Sequence, residues 1–97
     1  MAAYIIADLE VTHAETFQEY RLQVPALIEK YGGRYLARGG AVEVLEGSWR
    51  PARAVIVEFP DMAALKRFWD APEYQPLRAI RVRSTRGHLI AVEGVAR

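Results

Sequence analysis

Extended apolar runs alternating with amphipathic helical stretches predict an α+β fold of order β-α-β-β-α-β. Three observations carry this. Segments 3–11 and 53–59 (AYIIADLEV and RAVIVEF) are apolar on both strand faces, as in central strands covered on two sides. Phe17, Tyr20, Val24, Leu27, Ile28 and Tyr31 recur at helical spacing and define one buried stripe. Gly, Pro and Asp punctuate the chain at Gly32 and Gly33, at 47–51, at Pro60 and Asp61, and at Ala71 and Pro72.

The first strand ends at Val11. Thr12 and Glu15 then read as a T-x-x-E capping box, each side chain reaching a free amide at the other position. Pro25 lies inside the helical stripe, removes an amide and crowds the preceding turn, so a kink or a tightened turn is expected near Arg21. Gly32 and Gly33 close the helix. Residues 34–46 (RYLARGGAVEVLE) read as extended, either one long strand bent or bulged at Gly39 and Gly40 or two strands around a tight turn. A turn at 47–51 leads into the third strand.

Asp61 is placed to cap the next helix, whose Met62, Leu65, Phe68 and Trp69 face inward until Ala71 and Pro72 stop it. A short helix resumes over 73–83, with Tyr74, Leu77 and Ile80 apolar and Arg78 and Arg81 near them. Residues 87–95 form the last strand. The simplest assembly is a four-stranded antiparallel sheet with the helices on one face, the ferredoxin-like arrangement. The helix-free face is then left to a second copy, giving a homodimer.

At 97 residues the chain predicts one domain, 1–97, with a modest core; 52% hydrophobic and 26% charged residues are those of an ordered globular protein. A net charge of +1 gives no global field for nucleic acid or membrane, and the arginines at 81, 83 and 86 have no accompanying aromatic ladder. Without cysteine there is no disulfide, thiolate metal site or cysteine nucleophile. No glycine-rich phosphate loop follows a strand, Ser48 and Ser84 lack a G-x-S-x-G setting, and His13 and His88 lack metal-ligand spacing. The expectation is therefore a protein without metal or organic cofactor. No signal peptide or bilayer-spanning run is read, which points to the cytoplasm.

Several residues carry more chemistry than packing needs. Glu58 lies between Val57 and Phe59 in a central strand, where a carboxylate is costly unless paired or protonated. It reads as a general base, or as a structural ion-pair partner of Arg38 or Arg53. His88 in the last strand is a proton-transfer candidate if it faces a helix-side cavity. Arg38 beside the glycine pair can hold an anion, and Arg53, Arg78 and Arg81 can line the same cavity; each can also simply be solvated or pair with acids. Trp49 in the turn reads as pocket wall or dimer plug. Tyr74 and Arg78, four apart on one helix, place a hydroxyl and a guanidinium near the Ala71–Pro72 break, where a cavity between helices and sheet is expected.

The combination GGRYLARGG, EGSWRPARAVIVEFPD, APEYQPLRAIR and a closing VEG resembles the domain of unknown function 1330 family over nearly the whole chain. The resemblance implies a ferredoxin-like subunit of the dimeric α/β-barrel superfamily. That superfamily holds cofactor-free monooxygenases, muconolactone isomerase-like enzymes, haem-binding members and proteins of no known activity. The resulting expectation is a small-molecule pocket, in a monooxygenase- or isomerase-like enzyme acting on a small anionic or carbonyl-bearing compound. A non-catalytic ligand-binding protein and a purely structural dimer are the alternatives.

Overall fold

In the computed structural model, which describes residues 1–96, strand β1 (Ala3–Val11) leads into helix α1 (Ala14–Lys30), then strands β2 (Arg34–Arg38) and β3 (Ala54–Phe59). Helices α2 (Met62–Asp70) and α3 (Tyr74–Ser84) follow, and α3 runs directly into strand β4 (Thr85–Glu93). All strand pairs are antiparallel, in the order β2-β3-β1-β4. This is the expected ferredoxin-like sheet, with the second helical region divided in two.

Strand parity divides the chemistry of the sheet. Ala3, Ile5, Ala7 and Leu9 of β1 and Val57 and Phe59 of β3 are buried on the helix side. There Ala3, Ile5, Val57 and Phe59 pack with Val24, Leu27, Ile28, Leu65, Phe68, Tyr74 and Leu77. The alternate residues Tyr4, Ile6, Ile56 and Glu58 are only half-buried, and Ile90 of β4 is 57% exposed on the open face. Two-sided apolarity thus places β1 and β3 at the sheet centre, while the four strands and three helices alone leave one face uncovered.

Local signals act as the sequence implies in most places. Gly32, at φ +86°, closes α1 with two bonds: its amide reaches Glu29 O, and the Gly33 amide reaches Ile28 O, both at 2.9 Å. Asp61 caps α2 by accepting the Ala64 amide at 2.7 Å. Pro76 falls in the first turn of α3, where no helical amide is required, so it does not interrupt the helix.

Two expectations are corrected. The Thr12–Glu15 capping box does not form: His13 holds the cap position without a side-chain bond, and Thr12 Oγ1 contacts His13 Nδ1 at 3.2 Å. The start of α1 is held instead by the Ser84 carbonyl, which accepts the Thr12 and His13 amides at 2.8 and 3.2 Å. The end of α3 therefore does the work expected of the box. Nor does strand continue beyond Arg38. Gly39, at φ +69°, turns the chain out, and 40–53 crosses as a loop with Leu45 92% exposed. Its V-E-V alternation has no neighbouring strand to pair with, and period alone does not make a strand.

Candidate functional site

Between α1, α3 and the sheet lies a cavity of about 50 Å³. Its walls are apolar: Ile5, Leu9, Phe17, Val24, Val57 and Leu89 among them. Its polar equipment comes from three elements. Tyr20 projects from α1, Tyr35 and Arg38 from β2, and Tyr74 and Arg81 from α3, with Arg21 beside them. No carboxylate lines it among the described residues.

Tyr74, 1% exposed, shares a hydrogen bond with Tyr20, hydroxyl to hydroxyl at 3.1 Å. Burial and the neighbouring Tyr74 drive the Tyr20 hydroxyl far above its ordinary value, so it stays protonated. Burial raises Tyr35 as well, against the pull of Arg38. Two hydroxyls joined by one bond leave one hydroxyl proton for a third partner. The rings stack into the core: Tyr74 lies 4.5 Å from Phe68 and 5.6 Å from Trp69, centroid to centroid.

Arg81 is 6% exposed and makes no ion pair with any described residue. Its Nε is buried without a hydrogen-bond partner, and its guanidinium lies 5.8 Å from the Trp69 ring centre. A buried guanidinium without an anion is costly, and a cation–π contact at that distance recovers only part of the loss.

Arg38 reaches the cavity because of a bulge. Tyr35 pairs with Val57 and Ala37 with Ile56, so the register slips between them and Arg38 comes opposite Val55. The extra residue turns Arg38 to the same face as Tyr35, whose ring it covers at 4.6 Å. The bulge was expected at Gly39 and Gly40 and lies a few residues earlier. Arg38 also resolves the Pro25 problem. Proline cannot supply the amide that the Arg21 carbonyl would normally accept, and an Arg38 Nη donates to that carbonyl at 3.0 Å. Helix α1 runs unbroken through Pro25.

The remaining candidates fall elsewhere. Glu58 pairs with an arginine, as expected, but with Arg34, its cross-strand neighbour, at 2.8 Å rather than with Arg38 or Arg53. Both side chains project from the open face, so Glu58 does not meet the helix-side cavity. His88 is likewise exposed on the open face, opposite Asp8 in the register. It is Leu89 that turns toward the helices. His88 lines an open-face groove with Trp49, Ile6, Ile56 and Ile90. Trp49 donates from its indole to Asp8 at 3.0 Å, and the Ala52 amide donates to the same carboxylate at 3.1 Å. The carboxylate thereby ties the 40–53 loop to the sheet. Arg53 reaches over Phe17 at 5.6 Å, beside the cavity, with its Nε buried and unpaired. Arg78 stacks on Trp69 at 4.6 Å. Of these candidates, Arg38 and Tyr74 line the cavity.

Arg81, one of the arginines expected to line the cavity, does line it, and its spacing carried the signal. Tyr74, Leu77, Arg81 and Ser84 are the buried residues of α3, and their spacing places an arginine on the core stripe. Tyr20 was legible only as one apolar-stripe residue; its pairing with Tyr74 joins positions 54 apart.

A ferredoxin-like α+β fold with a small cavity between its helices and sheet defines the class. Residues 2–95 match the model of the family described as domain of unknown function DUF1330, and the chain belongs to that family. Among solved structures it is similar to a protein of unknown function from Rhodopseudomonas palustris, with TM-score 0.78 and 17% identity over 99% of this chain and 84% of that one. It is also similar to a dimeric ferredoxin-like protein of unknown function from Jannaschia sp. CCS1, with TM-score 0.68 and 19% identity over 99% and 100% of the two chains. A third likeness is to SnoaB, a cofactor-independent oxygenase from Streptomyces nogalater, with TM-score 0.63 and 12% identity over 99% and 93%. At these identities the likeness concerns the fold. Comparison with curated proteins gives no match. No helix among the described residues is long and apolar enough to cross a membrane.

Proposed function

We propose that this protein is a small-molecule-binding member of its family, whose site is the helix-side cavity, and that it acts without a cofactor on a small anionic or carbonyl-bearing compound. The observation that carries this reading is the Tyr20–Tyr74 hydroxyl pair, set in a cavity of largely apolar walls beside three arginines, with one proton uncommitted. A buried hydroxyl proton without a partner is costly unless a bound group takes it. Tyr20 and Tyr74 would orient or protonate an oxygen of the bound compound. Arg38 would stand at the cavity edge, and the apolar walls would exclude water. The likeness to a cofactor-independent oxygenase is compatible with such chemistry. Glu58 and His88 have no part in it, because they stand on the other face.

The functional unit is proposed to be a homodimer joined through the open face. Ile6, Ile56 and Ile90 line an apolar groove there, rimmed by Asp8, His88 and a Trp49 that is 67% exposed. One similar structure is itself described as dimeric. Sedimentation of a stable monomer at micromolar concentration would rule the dimer out.

A thermal-shift screen of small carboxylic acids, quinones and haem tests the binding reading. A ligand of the native state raises Tm with the logarithm of its concentration above Kd, and the response should vanish when the cavity is filled by Val24→Phe. Ligand responses that survive that substitution, or no response to any class, contradict it. Turnover of a hit separates an enzyme from a binding module.

A further inference from the structure

We infer that the cavity is a carboxylate site, in which Arg81 holds a monocarboxylate whose short hydrocarbon part rests against the apolar walls; the inference rests on the small-molecule reading above. Charge decides the first point. The cavity is lined by Arg21, Arg38 and Arg81 and by no acid among the described residues. Arg81 is more than nine-tenths buried and has no carboxylate within ion-pair reach among those residues. Arg81 is held largely buried with its Nε unpartnered and no compensating anion among the described residues, whereas buried arginines are ordinarily paired.

Volume and wall chemistry decide the second point. About 50 Å³ is room for a carboxylate group and one or two carbons. Walls made of Ile5, Leu9, Val24, Val57 and Leu89 favour a hydrocarbon neighbour to that group. They disfavour a dianion such as phosphate or sulfate, which would lose far more hydration than one buried guanidinium returns. The uncommitted proton of the Tyr20–Tyr74 pair supplies a second donor to the bound oxygen, and burial keeps Tyr20 protonated for that task. Arg81 would thus set specificity by charge and the tyrosine pair by direction.

Isothermal titration of the full chain against isosteric acid and amide pairs, acetate with acetamide and benzoate with benzamide, tests this at constant ionic strength. The account expects acetate to bind at least tenfold more tightly than acetamide and to raise Tm by roughly 5 °C or more at ten times its Kd. Benzoate distinguishes a free short acid from the acid head of a larger compound: tighter binding than acetate places a longer body through the cavity mouth, and weaker binding confines the ligand to a short acid. Arg81→Met replaces the charge by an apolar chain of similar length. It should fold with Tm at or above that of the wild type and lose the acetate response. Should that variant not fold, the acid and amide comparison on the wild type decides alone, with Tyr20→Phe weakening acetate by about threefold to tenfold as the second readout. Equal binding of acid and amide overturns the carboxylate assignment while leaving the small-molecule reading intact. A response to acetate no larger than to sodium chloride, or one that persists in Arg81→Met, also overturns it. Failure of every acid and amide overturns the carboxylate assignment, and silence of quinones and haem as well overturns the small-molecule reading with it.

Discussion

Replacing Tyr74 by phenylalanine deletes one oxygen from the core and leaves the ring contacts with Phe68 and Trp69 in place. The lost atom is the partner of Tyr20 Oη at 3.1 Å. A neutral hydrogen bond contributes about 0.5–1.5 kcal/mol net, and a hydroxyl left without a partner costs about 1–3 kcal/mol. Tyr20 is only half-buried and retains some access to the cavity, so the sum falls near the lower end, about 1–2 kcal/mol for Tyr74→Phe. Tyr20→Phe should cost about the same. The double variant removes both polar atoms and strands neither. It should cost no more than either single change, which gives a coupling of about 1 kcal/mol. Urea unfolding at one fixed protein concentration measures all four corners of the cycle, with an unchanged slope confirming that compactness is unaltered. Costs that add to within about 0.3 kcal/mol would show that the hydroxyls do not depend on each other, and the polar core of the site would lose its basis.

Three further outcomes are expected. Glu58→Gln should cost about 1 kcal/mol or less, because its partner Arg34 is largely solvent-exposed, and it should leave ligand binding unchanged; loss of binding would return Glu58 to the site. Arg38→Ala should destabilise the wild type more than it destabilises Pro25→Ala, since alanine at 25 restores the amide that the Arg21 carbonyl lacks; equal costs in both backgrounds would refute the repair role. Stability should be full below pH 10 and fall above it. The unfolded Tyr20 loses its proton near its ordinary value of 10.0 while the folded one, held protonated mainly by burial, keeps it. The slope attributable to this one group is about 1.4 kcal/mol per pH unit, and Tyr20→Phe should remove it in alkaline unfolding curves.

The fold was largely legible because its signals are local. Apolar runs on two faces located β1 and β3, the Phe17–Tyr31 stripe located α1, and Asp61 capped the helix it was expected to cap. The misreadings have one cause, which is that pairing decides what period cannot. The stretch 41–46 alternates like a strand but meets no neighbour, and Thr12 lost its capping role to a carbonyl 72 positions away. The site was legible in its parts and not in its grouping. Glu58 and His88 attracted attention as polar residues in strands, and parity alone would have put Glu58 on the face opposite Val57 and Phe59. Arg38 escaped the same logic because the bulge at 35–37 reverses its face, a slip the residues around it do not announce. Arg81 sat in plain view at core spacing, and its lack of a partner became visible only once the surrounding acids were placed.

The central claim is that ligand binds on the helix side of the sheet, and strand parity lets one measurement decide it. Neighbouring methyl-bearing residues face opposite ways: Ile5, Val57 and Leu89 line the cavity, whereas Ile6, Ile56 and Ile90 line the open-face groove. A titration of acetate followed by methyl NMR should shift Ile5, Val57 and Leu89 saturably, with Val24 and Leu9 moving on the same curve. Ile6, Ile56 and Ile90 should stay fixed. Shifts confined to Ile6, Ile56 and Ile90, near His88 and Trp49, would place the site on the open face and contradict the account.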